Sequence, residues 1–408
     1  MPIATAAASP GLTTSGLRRV LAVLCVTEIT SWGILFYAFP VLAPEISQTT
    51  GWSATWVVAA FSAGQVVAAL AGIPVGRWLD ARGPRSVMTA GSVVAIPAVV
   101  AVALAQNLLW FTAAWLLAGV AMGAVLYPPA FAALTRWYGQ RRVFALTVLT
   151  LAAGLASTVF APLTALLTTH LQWRDTYLVL AAVLAVVTIP AHLWGLRGPW
   201  PPAEPPPGTH PEHTDPARIT RGMPFRGLVI AFSLAAFAVY AGVINLVPLL
   251  AERGISGTTA AIALGLGGAG QVLGRLGYTT LTRLTTVRVR TAIVFLAAAA
   301  TTAVLGLLTT TAGLIVAAVV AGMARGVFTL LQATAVADRW GATHYGRLNA
   351  LLQAPLIITV ALAPWAGAAI ASGLGGYSPT FLVLAAVTVA AAVLTLASTP
   401  RLLPGRTS

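Results

Sequence analysis

Three ionisable residues interrupt long apolar runs of this sequence: Glu28, Arg275 and Arg325. At about 1.5 Å per helical residue, Glu28 lies roughly 15 Å beyond Arg18, Arg275 about 12 Å before Arg283, and Arg325 about 21 Å before Arg339. An ionised side chain at such depth in hydrocarbon costs at least about 2.5 kcal/mol, so groups of this kind face a protein interior or a water-filled path. Together they carry a charge of +1 if Glu28 is ionised and +2 if it is protonated, and either state attracts an anion. Arginine suits a carboxylate because its planar fork donates two parallel hydrogen bonds and stays charged when desolvated. The pattern predicts Arg275 as the main carboxylate clamp and Arg325 as a second donor or a partner of Glu28. A fixed ion pair with Glu28 accounts for only one of the two arginines. Glu28 is the one carboxylate deep enough for proton coupling, since its protonation responds both to burial and to an adjacent Arg.

Polar and aromatic groups along the same runs complete the expected binding set. Tyr37, beside Phe36, and Tyr127, followed by Pro128 and Pro129, offer ring and hydroxyl contacts, and Asn245 and Gln332 offer orientation. Pro129 frees a carbonyl one turn earlier and can bend its helix toward a cavity. Trp52, Trp110, Trp137, Trp173 and Trp340 stand near helix ends and read as interfacial or lipid-facing; His192 reads as structural or interfacial. No phosphate-cradling loop, His-rich zinc site or other enzymatic constellation is present, and no cofactor or metal is expected.

The elements that must position these groups follow from composition. Of 408 residues 58% are hydrophobic and 8% charged, too little polar surface for a soluble domain. Runs of about 20 apolar residues suit a hydrocarbon core about 30 Å thick. They predict an all-α membrane protein with twelve transmembrane helices, near 18–45, 54–78, 86–105, 108–136, 142–169, 174–196, 225–251, 257–281, 288–309, 312–338, 345–371 and 378–397. The formal charge of +14 comes from 23 Arg with no Lys, scattered in ones to threes rather than along one basic face, which argues against nucleic acid. One set of connections holds 19 arginines; the alternate set holds Arg174 and Arg253. That bias predicts a multi-pass protein of the cytoplasmic (inner) membrane with both termini cytoplasmic. The first run is too long for a signal-peptide core and lacks a cleavage site, so the first helix is expected to be retained. Cys25, the lone cysteine, forms no internal disulfide.

Internal matches divide the chain. PVLAPE at 40–45 resembles PLLAE at 248–252, AGQV recurs at 63–66 and 269–272, and AGVAMG at 118–123 resembles AGMARG at 321–326. These matches, with APLT against APWA and YLV against FLV, predict two parallel-repeated six-helix halves at 18–196 and 225–397. The remaining pieces read as tails at 1–17 and 398–408 and a cytoplasmic Pro-rich linker at 197–224, whose prolines argue against a helix. The counterparts of Glu28, Arg275 and Arg325 fall near Ala236, near Ala69 and at Met122, so the charge is asymmetric in a duplicated frame. Glycines crowd the eighth span at 265, 267, 268, 270 and 274, either for static packing or for packing that also allows sliding.

Between the second and third runs lies G-R-W-L-D-A-R-G-P-R, from Gly76 to Arg85. Gly76 permits a close crossing, Asp80 opposes the prevailing positive charge, and Arg82 and Arg85 can donate to carboxylates or helix-end carbonyls. With Gly83, these residues read as a gating latch at the cytoplasmic rim. This stretch resembles the loop motif of the major facilitator superfamily, with Gly76, Asp80, Gly83 and Arg85 in register and with Ala81 and Pro84 as departures. The resemblance extends over 18–397 and includes R-W-Y-G-Q-R-R at 136–142 and Q-W-R-D-T-Y at 172–177. Within that superfamily the chain is most similar to the oxalate/formate exchanger and monocarboxylate transporter branch, on S-W-G-I-L-F-Y-A-F-P-V-L at 31–42, G-W-S at 51–53, L-Y-P-P-A-F at 126–131 and Gly274-Arg275. That resemblance implies a carboxylate-binding arginine at Arg275. The exchanger type also uses a lysine in the eleventh span, which this chain lacks.

The expectation is a secondary active transporter of a small organic anion of monocarboxylate type, working by alternating access with proton symport preferred. Alternatives are an efflux carrier for a drug-like or metalloid-containing solute, and a receptor or scaffold that does not transport. The expected partners are the anion, protons and the lipid bilayer; oligomeric state is not encoded, and a monomer suffices for transport.

Overall fold

The protein is described by a computed structural model over residues 12–200 and 215–395, so most of the N-terminal tail, the middle of the linker and all of the C-terminal tail lie outside the described residues. Among the described residues all regular structure is helical. Ten stretches are long and apolar enough to cross a membrane. One of them, Leu108–Thr168, runs for 61 residues, about three times the length that one crossing needs. It turns back at Gly139–Arg141 and so makes two passes. The remaining crossing, span eight in chain order, is Gly257–Leu284, whose hydropathy is lowered by its glycines, Arg275 and Arg283. The fold is therefore an all-α membrane protein with twelve transmembrane helices in two six-helix halves.

The spans are not uniform rods. Span one runs as Thr14–Trp32, a π-helical turn Gly33–Tyr37, and Ala38–Thr50. At the π turn Gly33 lies against the Phe160 ring, where a Cβ would overlap the aromatic carbons. Span four breaks at Leu126, between Leu108–Val125 and Tyr127–Tyr138, and Pro128 and Pro129 fall in the new first turn, where no N–H is needed. Span six ends in a second π turn, Ala191–Gly195. Span seven breaks at Asn245, between Met223–Ile244 and Leu246–Glu252. Span ten runs as Thr311–Thr334 and Ala337–Trp340, and span eleven as Tyr345–Leu374.

Two compact units emerge from the backbone contacts: 12–200 together with Ala342–Gly346, and 215–341 together with 347–395. In the first, spans two (Ala54–Arg82) and four pack through small residues, with Gly119 against the Gly64 carbonyl and Gly123 against the Ala68 carbonyl. In the second, spans eight and ten repeat this: Gly322 lies against the Gly267 carbonyl and Gly326 against the Gln271 carbonyl. All four positions are displaced by 203 residues. At that displacement Arg275 matches Gly72 rather than the neighbourhood of Ala69, and Arg325 matches Met122. Gly267, Gly270 and Gly274 are the span-eight glycines used for contact with span ten, whereas Gly265 and Gly268 face open space. In lipid such close approach supplies the dispersion contact that holds helices together.

Part of the proposed linker is helical after all. Pro216–Arg221 forms a short helix because Pro216 sits at its first position and the Asp215 side chain accepts the Ala217 N–H at 2.9 Å. Trp173 is a second correction, since it is buried rather than interfacial: its indole N–H donates to Thr49 at 2.9 Å, and its backbone N–H donates to Glu45 at 2.9 Å. His192 is buried in the second π turn, with Nδ1 2.8 Å from Ser92 Oγ, a structural tie between spans three (Pro84–Ala103) and six.

Candidate transport site

In the second unit a neutral amide, Gln271, ties Arg325 to span eight one helical turn before Arg275. Arg325 Nε donates to Gln271 Oε1 at 3.3 Å. Arg275 follows Gln271 by four residues, one turn along span eight, so their Cβ atoms stand about 5–6 Å apart. This convergence depends on the glycine contacts just described, because Gly274 lies against Met323 and Gly326 against Gln271 with no room for a side chain. Arg275 is buried at 5% exposure. Arg325 also borders a cavity of about 40 Å³ inside this unit, together with Gly242, Leu246, Thr302, Gly322 and Phe381. That volume holds water or a small group, and its walls are mostly apolar.

Further along the same helices, Gln332 Nε2 donates to Gln353 Oε1 of span eleven at 2.5 Å. Tyr278 OH lies 2.6 Å from Thr334 Oγ1. Arg275 thus stands between the level of Gln271 with Arg325 and the level of Tyr278 with Thr334. Asn245 does not join this group: its amide donates to Ala241 O of its own helix at 2.9 Å and packs against Gly367.

In the first unit Glu28 is fully buried, and the Trp32 side chain is its hydrogen-bonding neighbour. The Ser31 hydroxyl, on the next turn, has no hydrogen-bond partner among the described residues. Trp32 gathers the two predicted tyrosines: its ring centroid is 6.5 Å from Tyr37 and 5.0 Å from Tyr127, and Phe36 lies 5.3 Å away. The π turn sets Phe36 and Tyr37 back around the helix relative to a regular α-helical course, a distortion common at functional sites. Trp32 was missed because an aromatic residue in an apolar run carries no signal of its own.

The loop motif is also built in the first unit. Asp80 Oδ1 accepts the Gly346 N–H at 3.0 Å, and Gly346 lies against the Gly76 carbonyl, where a Cβ would overlap it. A carboxylate at the opening turn of a helix suits the exposed N–H groups and the helix dipole. Gly83 adopts φ +79°, which ends span two and lets Pro84 begin span three. Arg85 Nε donates to Leu193 O at 2.8 Å, whereas Arg82 is exposed. The Asp80 carbonyl accepts from Arg136 at 3.1 Å and from Trp200 at 3.2 Å, and Arg136 lies 4.5 Å from the Trp200 ring.

Of two arginines counted as loop residues, Arg290 is buried and Arg339 half-buried. Arg290 pairs with Asp338 at 2.5 Å, and Arg339 donates to Thr291 at 3.0 Å and to Ala335 O at 3.2 Å. Arg290 also lies 5.9 Å from the Tyr278 ring.

Twelve crossings, duplicated halves and charged groups sunk among them define a multi-pass membrane carrier. The family model for the Major Facilitator Superfamily matches residues 21–314, and the chain belongs to that superfamily, whose members are transporters rather than enzymes. Among curated proteins it is 29% identical over 257 residues to bovine (Bos taurus) monocarboxylate transporter 13, covering 61% of this chain and 56% of that protein. It is 30% identical over 242 residues to human monocarboxylate transporter 11, covering 59% and 50%. The chain thus spans about half the length of these relatives. Among solved structures, a variant of the E. coli fucose:proton symporter FucP matches with a TM-score of 0.73 at 14% identity, covering 93% of this chain and 98% of that one. The human organic anion transporter MFSD10 matches with a TM-score of 0.71 at 16% identity, covering 93% and 99%.

Proposed function

We propose that this protein is a secondary active carrier that moves a small organic anion, of monocarboxylate type, across the cytoplasmic membrane by alternating access. The observation that supports this reading is the Arg325–Gln271 bond at membrane depth, one helical turn from the buried Arg275 in the same unit. Arg275 is the clamp for the carboxylate, and Arg325, steadied by Gln271, is the second donor. The names of the curated relatives support the same substrate class. Gln332 is a further polar group of the second unit in this reading, and Tyr37, Tyr127 and Trp32 are the aromatic contacts that the first unit offers.

Glu28 is the coupling group in this reading. A fully buried carboxyl with no cation paired to it among the described residues and only the Trp32 side chain beside it can take up and release a proton as the site closes and opens, which makes the carrier a proton symporter. The residues Gly76, Asp80, Arg82, Gly83 and Arg85 form the gate: Asp80 holds the first turn of span eleven through Gly346, and releasing it frees that segment. The arginine bias supports a cytoplasmic position for this gate and for both termini.

The direct test is uptake of radiolabelled small carboxylates into proteoliposomes, preceded by a thermal-shift screen of carboxylates and drug-like compounds. Stabilisation by carboxylates that Arg275→Ala abolishes is the expected result. Stabilisation by drug-like cations that Arg275→Ala leaves intact would overturn the anion reading, and carboxylate binding without flux would mark a receptor.

A further inference from the structure

Asn349 lies one turn into span eleven at 1% exposure, and neither its amide nitrogen nor its oxygen has a hydrogen-bond partner among the described residues. A buried primary amide left unbonded is costly, and a leucine of similar shape would serve packing better. Such a group in a folded protein calls for a reason beyond packing. One turn further on the same helix face stands Gln353, with its Cβ about 5–6 Å away. The Gln332–Gln353 bond uses one amino group and one carbonyl, leaving the Gln353 amino group and the Gln332 carbonyl outside the pair.

The three amides therefore form a neutral row that offers both donors and acceptors. The arginines of the same unit offer donors alone. Gln332 follows Arg325 by seven residues, two turns along one face of span ten, and Arg275 stands at an intermediate level on span eight. Charged and neutral hydrogen-bonding groups thus succeed one another along the same helices.

We propose that Asn349, with Gln353 and Gln332, is a specificity subsite that reads a neutral hydroxyl or amide group carried by the same molecule whose carboxylate the arginines bind. This rests on the anion-carrier reading. A plain alkanoate would leave the Asn349 amide unbonded, and a site built to bond a polar group rejects the analogue that lacks it far more strongly than an apolar pocket rejects an added group.

The test compares butanoate with 4-hydroxybutanoate and with 4-amino-4-oxobutanoate, which share a chain length and a carboxylate. Binding is read by thermal shift on the purified full chain, and uptake by proteoliposome flux. Wild type is expected to bind at least one of the polar compounds about tenfold or more tightly than butanoate, a difference of about 1.4 kcal/mol. Asn349→Leu, which keeps the volume and removes the hydrogen bonds, is expected to bring that ratio near unity while butanoate binding is kept or improved. Gln353→Leu serves as the second variant should Asn349→Leu fold poorly, with the same expected loss of ratio. A wild-type preference that both variants retain would overturn the subsite, as would a wild type that does not prefer the polar compounds. Failure of wild type to bind any of the three, with Arg275→Ala also without effect, would instead sink the carboxylate reading beneath it.

Discussion

Gly322 meets the backbone carbonyl of Gly267 with no space for a methyl group between them, and Gly119 meets Gly64 in the same way 203 residues earlier. In the second unit this contact brings spans eight and ten close enough for Arg325 to reach Gln271. Replacing Gly322 by Ala must push one backbone away, and overpacking of this kind costs about 1–3 kcal/mol. Gly322→Ala should lower the melting temperature by several degrees and weaken anion binding. Gly268→Ala, where a Cβ meets open space, should be neutral or slightly stabilising because Ala is the better helix former. Thermal denaturation of the two variants side by side checks the contrast.

Gln271 orients Arg325 without carrying charge itself. Gln271→Leu should therefore weaken anion binding about tenfold, the worth of one hydrogen bond to a charged group, while leaving the fold intact. Arg275→Ala should abolish binding. Titration of a bound carboxylate against both variants ranks them, and equal affinities for wild type and Gln271→Leu would show that Arg325 needs no support.

Twelve spans were legible because hydropathy and arginine placement are summed over many residues and tolerate local error. The duplication was legible from AGVAMG and AGMARG, and these segments contain Gly119, Gly123, Gly322 and Gly326, the contacts that repeat in space. Arg275 and Arg325 stood out because charge is rare in an apolar run. Among the neutral amides Gln332 and Asn245 are singled out while Gln271, Gln353 and Asn349 are not, since an amide has no charge by which one can be ranked above another. Arg290 and Arg339 were read as loop residues because they sit near helix ends. Only the fold shows that Asp338 draws Arg290 inward. Trp173 was placed at the interface for the same reason, and Glu45 and Thr49, more than 120 residues away in sequence, are what bury it.

The Arg290–Asp338 pair gives a stability prediction. Removing one partner of a buried ion pair strands the other charge and costs about 3–5 kcal/mol. Asp338→Asn should therefore unfold at a clearly lower temperature than wild type, and pairing Asp338→Leu with Arg290→Met should recover much of the loss. A double variant no more stable than the single one would mean that the pair does more than neutralise itself.

Glu28 is the carboxyl on which proton coupling turns. Glu28→Gln removes the titration and keeps the shape, so uptake should lose its acceleration at acidic external pH, and substrate addition should no longer drive protons into the vesicles. Exchange of labelled for unlabelled anion should survive, since that half-reaction needs no net proton movement. Persistence of substrate-driven acidification in Glu28→Gln would move the coupling site elsewhere.

Asp80 holds Gly346 at the start of span eleven, and the contact is so close that Gly346 has no room for a side chain beside Gly76. Asp80→Ala removes the acceptor and the charge that suits a helix N-terminus; Asp80→Asn keeps an acceptor oxygen and loses only the charge. If this contact stabilises one state of the transport cycle, its loss shifts the balance between states without touching the groups that bind the anion. Asp80→Ala should then lower the maximal flux about tenfold, as a shift of roughly 1.4 kcal/mol between states would, with Asp80→Asn intermediate. Affinity for the anion, measured at equilibrium, should change much less than flux. A fall in affinity that matches the fall in flux would place Asp80 with the binding groups instead of the gate.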